Sequence, residues 1–252
     1  MSPDQYLNLV LMSHPPNANT LAARFLLDPI ITSWAGTHLN SIVQSGSTAK
    51  GTSVKGGSDL DVFVSIKASC PANLGVIYST LGKALTTAGF STRKQRVSIG
   101  VTINGMSVDI TPGQQQPGFY NTDHSIWKNR QSTWTKTNVN THITTVTTSS
   151  RISEIKLAKI WRNCHGFDFP SFYLELVVIE ALTKFWDSSL ESRFIRILEY
   201  IANRFQNARF VDPANTANTI SDDLTIAEKA AVANRATQSL RDLQTDWRQV
   251  IW

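Results

Sequence analysis

The segment SGSTAKGTSVKGGSDLDVFVSI, residues 45–66, limits the folds open to this chain more than any other stretch. Leu60, Val62, Val64 and Ile66 recur every second residue, the period of a strand with an apolar face. Asp59 and Asp61 fall in the opposite phase, so both carboxylates project from the other face at the mouth of that strand. Two like charges held side by side repel, and a fold tolerates them where a counterion sits between them. A divalent metal is the usual one, and Mg²⁺ takes a few carboxylates together with phosphate oxygens. The loop ahead of the strand supplies the complement. Gly46 lets backbone N–H groups approach a phosphate closely, Ser47 adds a hydroxyl donor, and Lys50 and Lys55 add positive charge. The loop is not a Walker A motif, because Gly51 is followed by Thr52 rather than Lys, and no G-x-G-x-x-G fingerprint follows a strand.

A third carboxylate is expected from a neighbouring strand. In QRVSIGVTINGMSVDI, Val97, Ile99, Val101 and Ile103 share one face, and Asn104-Gly105 is a two-residue hairpin signal. Met106, Val108 and Ile110 continue after the turn, which leaves Asp109 in the opposite phase. Three acids on adjacent strands can hold two metals about 3.5–4 Å apart, an arrangement that clamps the attacking and leaving oxygens of phosphoryl transfer. D-x-D alone is a weak signal and reads more readily as a solvated strand end. Its conjunction with Gly46-Ser47 and Asp109 favours the metal.

The rest of the chain bounds this picture. With 252 residues there is room for one large domain or two small ones. A hydrophobic content of 41% against 17% charged residues supports a packed core. The net charge of +5 is a mild bias toward phosphates and nucleotides, and it matches ordinary surface charge as well. Cys70 and Cys164 are far apart and form no C-x-x-C pair, so neither a disulfide framework nor a zinc site is expected, and a reducing cytoplasm fits. The N-terminus lacks the basic region of a signal peptide, and no apolar run is long enough to cross a bilayer.

Periodicity predicts a helix over 20–39, a short strand over 41–44, and a helix carrying Leu74, Ile77, Leu81 and Leu85 that ends near Gly89. The Thr-rich stretch 132–150 reads as a long connection with some strand, and Trp127, Trp134 and His142 receive no role. Helices then follow. One is headed by Ile152 and Ile155; one opens at Asp168 and Pro170; one carries Leu190, Phe194, Ile197 and Ile201. The last starts at a Thr225/Glu228 capping box and contains Leu240, Leu243 and Trp247. The expectation is an α+β chain: a mixed sheet with flanking helices over 1–150, then a helical half over 151–252.

GSTAKGT, SDLDVFV and VDITPG together resemble the signature of the polymerase-β-type nucleotidyltransferases, in the branch of oligoadenylate synthetase and cyclic GMP-AMP synthase with its bacterial cGAS/DncV-like members. IKLAKIWRN resembles that family's helix with a phosphate-contacting lysine, at the place of Lys159. PSFYLELVVIEAL resembles its S-Y-H-L-E stretch, with Ser171 matching a triphosphate-contacting serine and Phe172 a base-stacking aromatic. FVDPANTANTISDD resembles a turn near the end of its helical half. The resemblance implies a catalytic core at 1–150 and a helical domain at 151–252 that completes the nucleotide pocket, with the active site in the cleft between them. It implies Asp59, Asp61 and Asp109 as catalytic metal ligands for Mg²⁺ or Mn²⁺, and Gly46, Ser47, Lys159, Ser171 and Phe172 as nucleotide contacts. The substrates would be ATP, GTP or other NTPs, joined into a cyclic oligonucleotide second messenger that a downstream effector senses, in bacterial antiphage signalling. An activator, protein or nucleic acid, belongs to that picture, and a membrane does not. The alternative is a template-independent tRNA-terminal or linear-oligonucleotide nucleotidyltransferase. A catalytically silent nucleotide sensor, a third class, has no chemical use for all three acids. Phe at 172 keeps stacking but lacks the family's tyrosine hydroxyl, and no Cys/His zinc insertion is present.

Overall fold

The computed structural model describes residues 1–16, 20–56, 59–118 and 121–252; Gly57 and Ser58, part of the loop ahead of Asp59, lie outside the described residues. In chain order the first elements are α1 (Pro3–Ser13), α2 (Thr20–Ala35), β1 (Leu39–Gln44), α3 (Gly46–Ala49), β2 (Leu60–Ile66) and α4 (Leu74–Thr87). Next come β3 (Arg93–Lys94), β4 (Ile99–Ile103), β5 (Met106–Gln115), β6 (His124–Lys128), β7 (Thr133–Thr137) and α5 (Val139–Thr147). The chain closes with α6 (Ile152–Cys164), α7 (Ser171–Ala181), α8 (Leu190–Asn203), β8 (Val211–Asp212), β9 (Asn215–Thr219) and α9 (Ile226–Asp242). The chain divides into two units, one made of residues 17–50 and 59–143, the other of 1–16, 51–58 and 144–252.

The first unit is a mixed sheet in the order β1-β2-β5-β4-β3, with β6 and β7 added beside the far end of β5. β2 is antiparallel to β1 and parallel to β5, which runs antiparallel to β4 through a turn with Asn104 at φ 50° and Gly105 at φ 79°. Positive φ at both central residues is what the Asn-Gly pair supplies. β5 pairs with β4 over Met106–Ile110 and with β6 over Gly113–Gln115. Pro112, which has no N–H to donate, lies between these two stretches. The apolar face of β2, β4 and β5 is covered by Leu27 and Ile31 of α2 and by Ile77, Leu81 and Leu85 of α4. The other face of β2 is covered below the carboxylates, where the Phe63 ring stands edge-on to His124 at 4.9 Å.

The second unit is built on helices α6 to α9, joined by α1. Trp161, Tyr173, Phe194 and Phe205 are among the largest buried side chains of its core, with Tyr173 stacked on Phe205 at 5.1 Å. The expected division at residue 150 is corrected in two places: α1 and the segment 51–58 group with the helices, and the last crossing falls within α5. α1 belongs there because Leu7 and Val10 bury in the helical core, and because the Tyr6 hydroxyl donates to the Ile251 carbonyl at 2.8 Å. Asp4 also accepts the Glu191 N–H at 2.6 Å, at the start of α8. Local expectations differ as well: α2 ends at Ala35 rather than at 39, β1 begins at Leu39, and Val97 precedes β4. The Thr-rich stretch holds β7 and a helix, α5. The helix expected to open at Asp168 begins at Ser171, with Pro170 at the N-cap and no side-chain cap. α9 ends at Asp242, short of Leu243 and Trp247.

Candidate active site

The parallel register of β2 and β5 sets Asp61 directly beside Asp109. Successive side chains alternate between faces, so both acids leave the face opposite to Leu60, Val62, Val108 and Ile110, which are buried. Asp59 is exposed at the mouth of β2, and its negative charge reaches Asp109. Burial, and then that charge, push the Asp109 carboxyl above the usual carboxylate range, while bonds from Gln95 and Ser98 and the charge of Arg93 pull it back. The Gln95 amide donates to Asp109 Oδ1 at 2.8 Å and the Ser98 hydroxyl lies 3.4 Å from Oδ2.

Gly46 opens α3 at φ +58°, a conformation that side chains rarely adopt. A Cβ at this position would collide with the Asp61 carboxylate, so the turn presses backbone directly onto the acid. The Ser45 N–H donates to the Asp61 carbonyl at 2.9 Å and fixes the approach. Gly46, Asp61 and Asp109 are thereby gathered in the sheet unit, with Ser47 buried beside Gly46. Among the described residues no three His, Cys, Asp or Glu side chains already form a metal cage. The donor set nevertheless suits a hard divalent cation. It offers carboxylate oxygens only, and the charge that Asp59 imposes on Asp109 is the kind a cation offsets.

The helical unit holds the other expected contacts, and here the structure departs from expectation. Lys159 does not present its charge at a surface. Its side chain and that of Glu175 are both 0% exposed, with Nζ 2.7 Å from Glu175 Oε1. The ammonium also donates to Thr52 Oγ1 at 2.9 Å, and the Thr52 hydroxyl donates to Glu175 Oε1 at 2.8 Å. A buried lysine needs such partners because an isolated charge there is costly. The cation beside Ser171 is instead Arg162, one turn further along α6. Its Nη1 donates to Ser171 Oγ at 3.2 Å and to the Phe169 carbonyl at 2.8 Å, with the guanidinium over the Phe169 ring. Burial lowers the Arg162 pKa, and Asp168 and Glu175 oppose it. Phe172 is half-buried against the helical core. Arg162, Gln95, Ser98 and Arg93 are polar residues that the sequence did not single out. Trp127 packs over Gly75, and its cross-strand neighbour Trp134 is exposed; His142 lies on α5.

No protein-family model matches the chain, and no curated protein matches it in sequence. Solved structures do. CdnG from Bradyrhizobium diazoefficiens, a CD-NTase solved with GTP, superposes with a TM-score of 0.82 at 14% identity, covering 99% of this chain and 95% of that one. CdnC from Escherichia coli MS115-1, solved in complex with HORMA-deltaN, gives 0.74 at 18% identity, covering 96% and 90%. The Cid1 poly(U) polymerase bound to MgATP gives 0.70 at 14% identity, covering 98% and 96%. Identity at this level speaks for architecture: the chain has the cGAS/DncV-like nucleotidyltransferase fold.

Proposed function

We propose that the chain is a metal-dependent nucleotidyltransferase that joins NTPs into a cyclic oligonucleotide. The observation that carries this is the rung of Asp61 and Asp109 with the Gly46 turn pressed against the Asp61 carboxylate. Asp59, Asp61 and Asp109 would hold Mg²⁺ or Mn²⁺, which when bound supplies Lewis-acid activation of the triphosphate and of the attacking hydroxyl. The residues of the chain do the rest. Gly46, having no side chain, admits phosphate oxygens to its backbone, and Ser47 donates its hydroxyl to them. Ser171, held by Arg162, adds a second hydroxyl, and Phe172 stacks on a base. The acceptor hydroxyl loses its proton beside Asp109 and attacks the α-phosphate in line; pyrophosphate leaves, and a second attack closes the ring. Lys159 enters through what it holds, the Thr52 end of the segment between the Gly46 turn and Asp59.

Likeness to CdnG and to a CdnE cyclic dinucleotide synthase from Elizabethkingia meningoseptica supports this reading. The CdnC complex supports a protein partner for this chain too, proposed here as an activator, and a role in antiphage signalling belongs to the same proposal. No described helix is long and apolar enough to cross a membrane. The likeness to Cid1 favours a second reading, terminal transfer onto RNA. An RNA-gripping enzyme needs broad basic surface and binds with steep salt dependence, whereas the net charge here is +5. Incubation with four NTPs and Mg²⁺ or Mn²⁺, with products read by mass spectrometry, separates the two. A small phosphatase-resistant product that Asp61→Asn abolishes, without change in circular dichroism, supports the synthase. Label from NTPs found only on the 3′ ends of added RNA supports terminal transfer.

A further inference from the structure

Asp109 lies opposite Gly100 on β4, the one antiparallel partner in this rung that has no side chain. The space a Cβ would fill is taken by Gln95, whose Nε2 lies 2.7 Å from where that atom would stand. Gln95 therefore reaches across β4 to Asp109 through a gap that glycine provides. Its own position is fixed at several points. The Ser98 hydroxyl donates to Gln95 Oε1 at 2.8 Å, which orients the amide so that Nε2 faces the carboxylate. The Gln95 N–H donates to the Ser98 carbonyl at 3.0 Å, closing the turn between them. Tyr78, buried on α4, donates its hydroxyl to the same Ser98 carbonyl at 2.9 Å. The turn is thus anchored to the helix that covers the opposite face of the sheet.

We propose that Gln95 is the positioning residue for the third metal-ligating carboxylate: through its Nε2 bond to Oδ1 it fixes the rotamer of Asp109, with Ser98 and Gly100 as the parts that aim it. The proposal rests on the nucleotidyltransferase reading above. Residues that hydrogen-bond a metal's ligands set its affinity, and their loss typically weakens it by roughly 10–100-fold. Gln95→Met keeps the length of the side chain and removes the donor.

The test is titration of the full chain with Mn²⁺ alone, followed by electron paramagnetic resonance, beside apparent KM values for Mn²⁺ and for NTP. Gln95→Met should weaken Mn²⁺ binding by about ten-fold or more, raise the apparent KM for Mn²⁺ and leave that for NTP unchanged, with the Tm held. Ser98→Ala should act in the same direction, less strongly, and decides the matter if Gln95→Met does not fold. Mn²⁺ affinities within two-fold of the unaltered chain in the variants overturn the assignment of Gln95 alone. No Mn²⁺ binding by the unaltered chain overturns the nucleotidyltransferase reading, and this inference with it.

Discussion

Replacing Lys159 by Met should destabilise the helical unit severely. The substitution removes a fully buried ammonium from beside Glu175, which is also 0% exposed. The Thr52 hydroxyl still donates to that carboxylate, but it is neutral and at 2.8 Å replaces only part of what is lost. Breaking one side of a buried ion pair costs about 3–5 kcal/mol. For a chain of this length that lowers the Tm by roughly 6–20 °C. The pair itself contributes far less, because its desolvation nearly offsets its attraction. Removing all the polar side chains together, Lys159→Met with Glu175→Leu and Thr52→Val, should therefore recover more than half of the loss. Thermal unfolding followed by tryptophan fluorescence reads both variants, since Trp161 lies in the same core. Hydrogen exchange at residues 51–56 reads the local effect: Lys159 holds Thr52, and protection there should fall first. A single variant within about 1 kcal/mol of the unaltered chain, with unchanged exchange at 51–56, would refute the reasoning and return Lys159 to the nucleotide contacts that the resemblance implies.

Gly46→Ala should remove activity out of proportion to stability. The left-handed backbone costs about 1–3 kcal/mol for a residue with a side chain, while the added methyl displaces the Asp61 carboxylate; activity retained at half or more would contradict the geometry. His124 gives a pH test. Burial lowers its pKa below the usual 6.5, and its ring is wired as the neutral form, with Nδ1 on the Thr122 carbonyl and Nε2 on a Ser65 hydroxyl that already accepts from Asn40. A depressed histidine binds its proton more readily in the unfolded chain, so its contribution is complete above about pH 6.5 and is lost as pH falls toward the folded value. Urea unfolding between pH 7.5 and 5 should show that loss, and His124→Gln should flatten the slope; an equal slope in the variant removes His124 as its source.

The parts legible in the sequence are those fixed by neighbours in the chain. The Asn104-Gly105 turn and the Thr225/Glu228 capping box stand where local chemistry puts them. The strand phase of Asp61 and Asp109 follows from a period of two, whereas Asp59 stands just ahead of β2. What depends on distant partners was not legible. α5 forms from threonines of low helix propensity, with Val146 its one buried residue among those described. The partner of Lys159 is on another helix, and the sequence contains no sign that Glu175 would meet it. Gln95 has no motif at all; its role exists only in the register that sets Gly100 across from Asp109.

Because β2 and β5 run parallel, Asp61 and Asp109 become neighbours only after α4 and the β4–β5 hairpin have returned the chain to the same edge of β2. Slow, non-local pairing of this kind is open to misalignment. A slip of one residue would turn Val108 and Ile110 to the wrong face and drive Asp109 into the layer beneath α2 and α4. The misaligned sheet would lose apolar burial and bury a charge at once. The alternation that aims the acids therefore also proofreads the sheet: a molecule whose core has closed already carries its carboxylates in line, so folding and assembly of the carboxylate rung are a single event.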